Sequence, residues 1–118
     1  MDCSSTLISC LLDHARPALQ RCAVVSRHGS LSYAELAERV MAQAERLSES
    51  GVVGASVVGI GCDEDVAHLV LCLAVAHLGA TSCTVPSFES PQQQQKILQR
   101  TGATFVAAKD GTVERVAA

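Results

Sequence analysis

Asp65, His68 and Cys72 stand at positions i, i+3 and i+7, a spacing that puts a carboxylate, an imidazole and a thiol on one helix face. Such a set could make a cysteine nucleophile with its base, or part of a metal site. All three would come from a single helix with apolar surroundings, whereas an active thiolate needs a polar, electropositive and partly open site. No second pair at ligand spacing completes a metal site. The ordinary reading is a buried Cys, a helix-start Asp and an edge His. Gly59-Ile60-Gly61 follows an apolar run, as a phosphate-binding turn would. The fingerprint G-x-G-x-x-G fails at Glu64, and Asp63-Glu64-Asp65 places negative charge where phosphate would sit. His14, His28 and His77 are isolated. No G-x-S-x-G elbow exists, and no Ser-His-Asp order can be built. Accordingly, no catalytic, cofactor-binding or metal-ligating residue is assigned.

The elements that would position these residues follow from patterning. Thr6 to Ala15 carries Leu7, Ile8, Leu11, Leu12 and Ala15 on one helical face, ended by Pro17. Cys22-Ala23-Val24-Val25-Ser26 is β-rich, His28-Gly29 supplies a turn, and Leu31 can pair back as a small hairpin. Ser32 and Glu35 form the signature of a capping box, with Leu31 and Leu36 placed as a hydrophobic staple. Leu36, Val40, Ala44 and Leu47 then make one buried stripe, and Gly51 supplies the stop. Glu35 and Arg39 are a favourable i,i+4 pair on its flank.

Val52 to Gly61 contains a β-branched, glycine-bounded run that suits a buried parallel strand. The acidic triplet at 63–65 suits the positive end of the next helix. That helix, Val66 to Leu78, is apolar nearly all round and must pack on more than one side. Thr81 to Val85 reads as a strand and Pro91 to Arg100 as a helix closed by Gly102. Thr104 to Ala108 is the last expected strand. Lys109-Asp110-Gly111 is a turn, and Thr112 to Ala118 is expected to be a frayed tail. Strand–helix–strand repeats with short links imply right-handed crossovers and a mostly parallel sheet with flanking helices, an α/β fold. The expected division is one α/β domain over residues 1–111 and a tail over 112–118.

Composition narrows the classes of function. A chain of 118 residues with 48% hydrophobic content is globular in type. Aromatics are only 3%, so the core is aliphatic. The net charge is −3, Lys96 and Lys109 are the only lysines, and no basic stripe exists, which sets aside a nucleic-acid partner and a basic membrane-surface helix. The apolar run from Val66 to Ala80 is too short to span a bilayer. Cysteines stand at 3, 10, 22, 62, 72 and 83, with no C-x-x-C pair and no signal-like start at Met1-Asp2-Cys3. Reduced thiols in a cytoplasmic chain are expected.

The order of segments resembles the extreme N-terminal part of the AMP-forming adenylating enzymes: acyl- and aryl-CoA synthetases, luciferases and the adenylation domains of nonribosomal peptide synthetases. Cys22-Ala23-Val24-Val25 resembles the family's early A-V strand, and Leu31-Ser32-Tyr33-Ala34-Glu35-Leu36 its L-[TS]-Y-x-E-L. Gly51 to Ile60 resembles G-V-x-x-G-D-x-V-x-I, with Ser56 in place of the usual Asp. Val70 to Ala80 resembles L-A-x-x-x-x-G-A. Val85-Pro86 with Pro91, and Ile97-Leu98 with Thr101-Gly102-Ala103, resemble the segments that follow. Cys62-Asp63-Glu64-Asp65 replaces the common P-N-S turn. The resemblance covers roughly residues 6 to 108.

It implies part of the large N-terminal domain of an ATP-dependent ligase that forms an acyl-adenylate and passes the acyl group to a CoA or carrier-protein thiol. ATP and Mg²⁺ are implied for the parent enzyme and no cofactor for this chain, because the family's phosphate loop S-G-T-T-G-x-P-K-G and its catalytic lysine lie downstream. The isolated chain is expected to be inactive. Its expected partner is the remainder of the parent ligase or a complementing subunit, with self-association of any exposed apolar surface. The alternative is a non-enzymatic docking or assembly module built on the same fold.

Overall fold

The computed structural model describes residues 22–26, 29–108 and 112–116. The helix expected over 6–15, its stop at Pro17, the turn residue His28 and the turn at 109–111 lie outside the described residues.

The first pair of strands is the expected hairpin. Strands β1 (Cys22–Ser26) and β2 (Gly29–Ser32) run antiparallel with Val24 opposite Leu31. Gly29 has φ near 140°, a conformation that L side chains rarely adopt, and it opens the returning strand. Helix α1 (Tyr33–Glu49) starts at once, because Ser32 and Glu35 close the capping box in both directions. The Ser32 hydroxyl accepts from the Glu35 N–H at 3.2 Å, and the Glu35 carboxylate accepts from the Ser32 N–H at 2.9 Å. That contact, aided by Arg39, holds the Glu35 carboxyl below its ordinary range. Leu36, Val40, Ala44 and Leu47 are buried as the stripe requires.

Four strands form the second sheet, in the order β4 (Thr81–Thr84), β3 (Val57–Gly61), β5 (Phe105–Ala108) and β6 (Val113–Arg115). The first three are mutually parallel, with Gly59 opposite Cys83 on one side and Val106 on the other. Helix α2 (Asp65–His77) links β3 to β4, and helix α3 (Pro91–Thr101) links β4 to β5. Since β4 and β5 lie on opposite sides of β3, crossovers of one hand must place α2 and α3 on opposite faces. The core clusters agree. Val58, Ile60, Phe105 and Ala107 pack with α1 and α2, while Val57, Cys83 and Val106 pack around Leu98 of α3. Helix α2 contacts α1, β1, β3 and β4, which accounts for its all-round apolar surface.

One expectation fails. The segment read as a frayed tail contains β6, antiparallel to β5 with Ala107 opposite Val113 and Phe105 opposite Arg115. The Val116 N–H also donates to the Thr104 carbonyl at 3.0 Å. Val113 packs on the main core, Val116 packs on the smaller one, and the Arg115 guanidinium lies 5.7 Å from the centre of the Phe105 ring. These contacts with β5 hold a segment whose own patterning is too short to announce a strand.

Candidate functional site

In an open α/β sheet the natural ligand crevice lies at the carboxyl ends of the strands, where neighbouring connections leave toward opposite faces. Here that place is between the β3–α2 connection, residues 62–64, and the β4–α3 connection, residues 85–90. The chain's own groups close it. Ser87 donates its hydroxyl to the Asp63 carboxylate, tying the two connections together. Glu64 caps α2, its carboxylate accepting from the Val66 N–H at 3.2 Å and the Ala67 N–H at 2.8 Å. The N–H groups that would meet a phosphate already hold a carboxylate.

Gly59 and Gly61 serve packing instead of a phosphate. A Cβ at Gly59 would lie 2.7 Å from Leu98 Cδ2 and 3.1 Å from Val85 Cγ2. The glycine is what lets α3 approach the sheet. At Gly61 a Cβ would meet only Val106 Cγ1, at 3.8 Å.

The three residues of the helix-face constellation sit on α2 but do not converge on one point. Asp65 is exposed in the first turn, and the capping role belongs to its neighbour Glu64. The ring of His68, half-buried, is engaged through Nδ1 with the Cys62 carbonyl at 3.2 Å. The Cys72 thiol is half-buried, and burial pushes it above the ordinary thiol range, with a hydrogen bond involving Ser82 opposing that only in part. A thiol shifted upward holds less thiolate at neutral pH and makes a poor nucleophile. Cys62, Cys72 and Cys83 are free thiols. Cys3, Cys10 and His14 lie outside the described residues. His77 ends α2 with its Nδ1 buried and without a partner. Among the described residues, no group of three or more His, Cys, Asp or Glu side chains could hold a metal ion. None of the described helices is long and apolar enough to cross a membrane.

Sequence patterning offered no hint of the Ser87–Asp63 link, which depends on the parallel register of β3 and β4 across 24 residues. Nor did it separate Gln94 from the glutamines around it. Gln94 donates its side-chain amide to the carbonyls of Pro86 and Glu89, at 3.3 and 3.0 Å. A cleft of about 780 Å³ lies away from this edge, against α1 and the end of α2, with Glu38, Met41, Glu45 and His77 in its lining.

Comparison with known proteins adds what the geometry alone does not. A family model described as AMP-binding enzyme matches residues 12–118. A search of curated proteins finds no match. The fold is similar to the N-terminal subdomain of NpsA from Klebsiella oxytoca, with TM-score 0.78 and 20% identity over 95% of this chain and 29% of that one. It is also similar to o-succinylbenzoate CoA synthetase (MenE) from Bacillus subtilis, solved with the acyl-adenylate intermediate OSB-AMP. There the TM-score is 0.75, with 19% identity over 83% of this chain and 26% of that one. A third similarity is to an artificially fused adenylation–PCP di-domain, NpsA-ThdA, with TM-score 0.79 and 20% identity over 93% of this chain and 20% of that one. The chain thus spans less than a third of the length of the solved structures it matches.

Proposed function

The chain belongs to the AMP-binding enzyme family, as an N-terminal segment of it, and from that premise we propose that it is the scaffold part of an ATP-dependent, AMP-forming carboxylic acid ligase. Such a ligase condenses a carboxylate with ATP to an acyl-adenylate, releases pyrophosphate, and transfers the acyl group to the thiol of CoA or a carrier protein. The family match over residues 12–118 carries this reading. The relatives named above support it through their stated ligands: an acyl-adenylate in MenE, and an aryl-AMSN in further NpsA structures.

The described residues do not fit ATP or Mg²⁺. The α2 N-terminus is taken by Glu64, Gly59 by Leu98, and no described carboxylate cluster suits a cation. No step of adenylation is therefore assigned to this segment. Its role is to fold β3, β4 and β5 into a platform that the remainder of the ligase, or a complementing subunit, completes with nucleotide-binding and acyl-binding groups. A cytoplasmic location suits a protein that draws on ATP and holds free thiols.

A second reading, a docking or assembly module without catalysis, is favoured by one observation: Leu47, Ile60, Val40, Val58 and Val75 are fully enclosed by residues of this segment alone. Two measurements separate the readings. The purified 118-residue chain should show no ATP–pyrophosphate exchange; exchange that is lost in Asp65→Ala and His68→Ala forms would overturn the scaffold reading. The mass of the native product, read with an antibody to this chain, should lie far above 12.3 kDa or the product should co-purify with a ligase polypeptide. A solitary 12.3 kDa species would favour the module.

A further inference from the structure

The side-chain nitrogen of Gln43 is shielded from solvent and has no hydrogen-bond partner. A shielded donor without an acceptor lowers stability, and native folds rarely keep one without a reason. Gln43 follows Leu36 by seven residues and precedes Leu47 by four. It therefore borders the buried stripe of α1, where leucine or alanine would pack without that loss.

The surroundings of the amide point to an acceptor. Arg39, Gln43 and Arg46 stand at i, i+4 and i+7 on α1, on one face of the helix. With Ala42 they form one wall of a groove of about 240 Å³, and Ala67, Val70 and Leu71 of α2 form the other. Arg39 and Arg46 are about 10 Å apart along the helix axis, with Gln43 between them, so both long side chains can converge over the amide. Among the described residues that line this groove there is no carboxylate. Glu38, Glu45 and Glu49 line the cleft on the other side of Ala42, the residue common to both. Glu35, one turn before Arg39, accepts from the Ser32 N–H, and Arg39 is the least of the influences on its carboxyl. Arg46 already has a partner, but a guanidinium carries several N–H donors and can serve more than one acceptor.

We propose that this groove binds a phosphate monoester with a small apolar body. Arg39, Arg46 and the Gln43 amide hold the dianionic head, and the body lies against Val70 and Leu71. Two guanidiniums match two negative charges, and arginine forks suit phosphate oxygens. The space equals about eight waters, which admits a phosphate carrying a ring or a short chain. The terminal torsion of glutamine is soft, so a small rotation brings the shielded nitrogen to the head. The proposal does not depend on the scaffold reading.

Phenyl phosphate is the probe, titrated calorimetrically into the purified 118-residue chain, whose main core its own residues enclose. One equivalent should bind, with inorganic phosphate about tenfold weaker for want of the ring. Arg39→Gln and Arg46→Gln should each weaken binding by about tenfold. Arg100→Gln, at an exposed position of α3, should change it by less than about twofold. Gln43→Leu should act in two directions. Binding should be about fivefold weaker, while the urea midpoint of the chain without ligand rises, because the shielded donor is gone. The native product, with any nucleotide site elsewhere filled by saturating ATP, should repeat the pattern of variants.

A loss from Arg100→Gln as large as that from Arg39→Gln would mean attraction to surface charge only and would overturn the proposal. Absence of binding at millimolar phenyl phosphate in both the chain and the native product would do the same. So would a Gln43→Leu form that binds as well as the wild type and is less stable.

Discussion

On one face of the sheet, α1 and α2 enclose Val40, Leu47, Val58, Ile60 and Val75 completely; on the other, α3 buries only Leu98 of its 11 residues. The first face is held by volume, many aliphatic side chains interlocking without a large aromatic. The second is held by proximity. Because Gly59 has no side chain, Leu98 rests on the backbone of β3, with Val85 and Ala103 beside it. A thick contact distributes its stabilisation over many residues, whereas a thin one concentrates it at a single pair. The pair is also where the segment can be disturbed without loss of its main core.

The largest expected effect tests the thick face. Leu47→Ala removes a fully enclosed side chain and should cost about 3–5 kcal/mol in urea unfolding of the chain. That is a large part of the stability of a small aliphatic domain. A cost below about 1 kcal/mol would mean that this core is far looser than its burial indicates.

Next comes the thin face. Gly59→Ala should cost about 1–3 kcal/mol by overpacking against Leu98 and Val85. The double substitution with Leu98→Ala should cost less than the sum of the singles, because the second change removes the atom that the new Cβ strikes. Additive costs would show that α3 does not rest on Gly59.

The caps sharpen the comparison at a smaller scale. Ser32→Ala breaks a two-way capping box on the thick face, whereas Ser90→Ala breaks one hydrogen bond at the start of α3. Losses of about 1–2 and about 0.5–1 kcal/mol are expected, in that order. The smallest effect is one of pH. The Glu35 carboxyl is lowered in the fold, so its contribution is present above the ordinary glutamate range. It fades as pH falls through the lowered folded value. Glu35→Gln keeps an acceptor for the Ser32 N–H but cannot titrate, so its urea midpoint should vary less with pH across the acid range than that of the wild type. Equal slopes would break the assignment.

The parts of this molecule that are local in sequence were readable there. Ser32 with Glu35, the stripe of α1, the glycine stops at Gly51 and Gly102, and the parallel strand–helix order all depend on neighbours within a turn or two. Features set by distant neighbours were not. Gly59 looked like the beginning of a phosphate turn because Leu98, which occupies its missing side chain, comes 39 positions later (98 − 59). The acidic triplet was rightly placed at a helix start, but only the coordinates distinguish Glu64 as the cap, Asp63 as the tie to Ser87 and Asp65 as exposed. β6 was missed because three residues carry no period, and their extended form depends on β5 alongside.

That last strand also governs how the sheet meets other sheets. Without it, β5 would present Phe105-Val106-Ala107-Ala108 as an open border of unpaired amides and apolar side chains, the kind of template on which identical chains stack into fibres. β6 covers that border with Val113-Glu114-Arg115, two of whose three side chains are charged and exposed. The border opposite, β4, carries Thr, Ser, Cys and Thr and stops just short of Pro86. A ribosome stall or protease cut after Ala108 would turn a sheet with guarded borders into one that can grow.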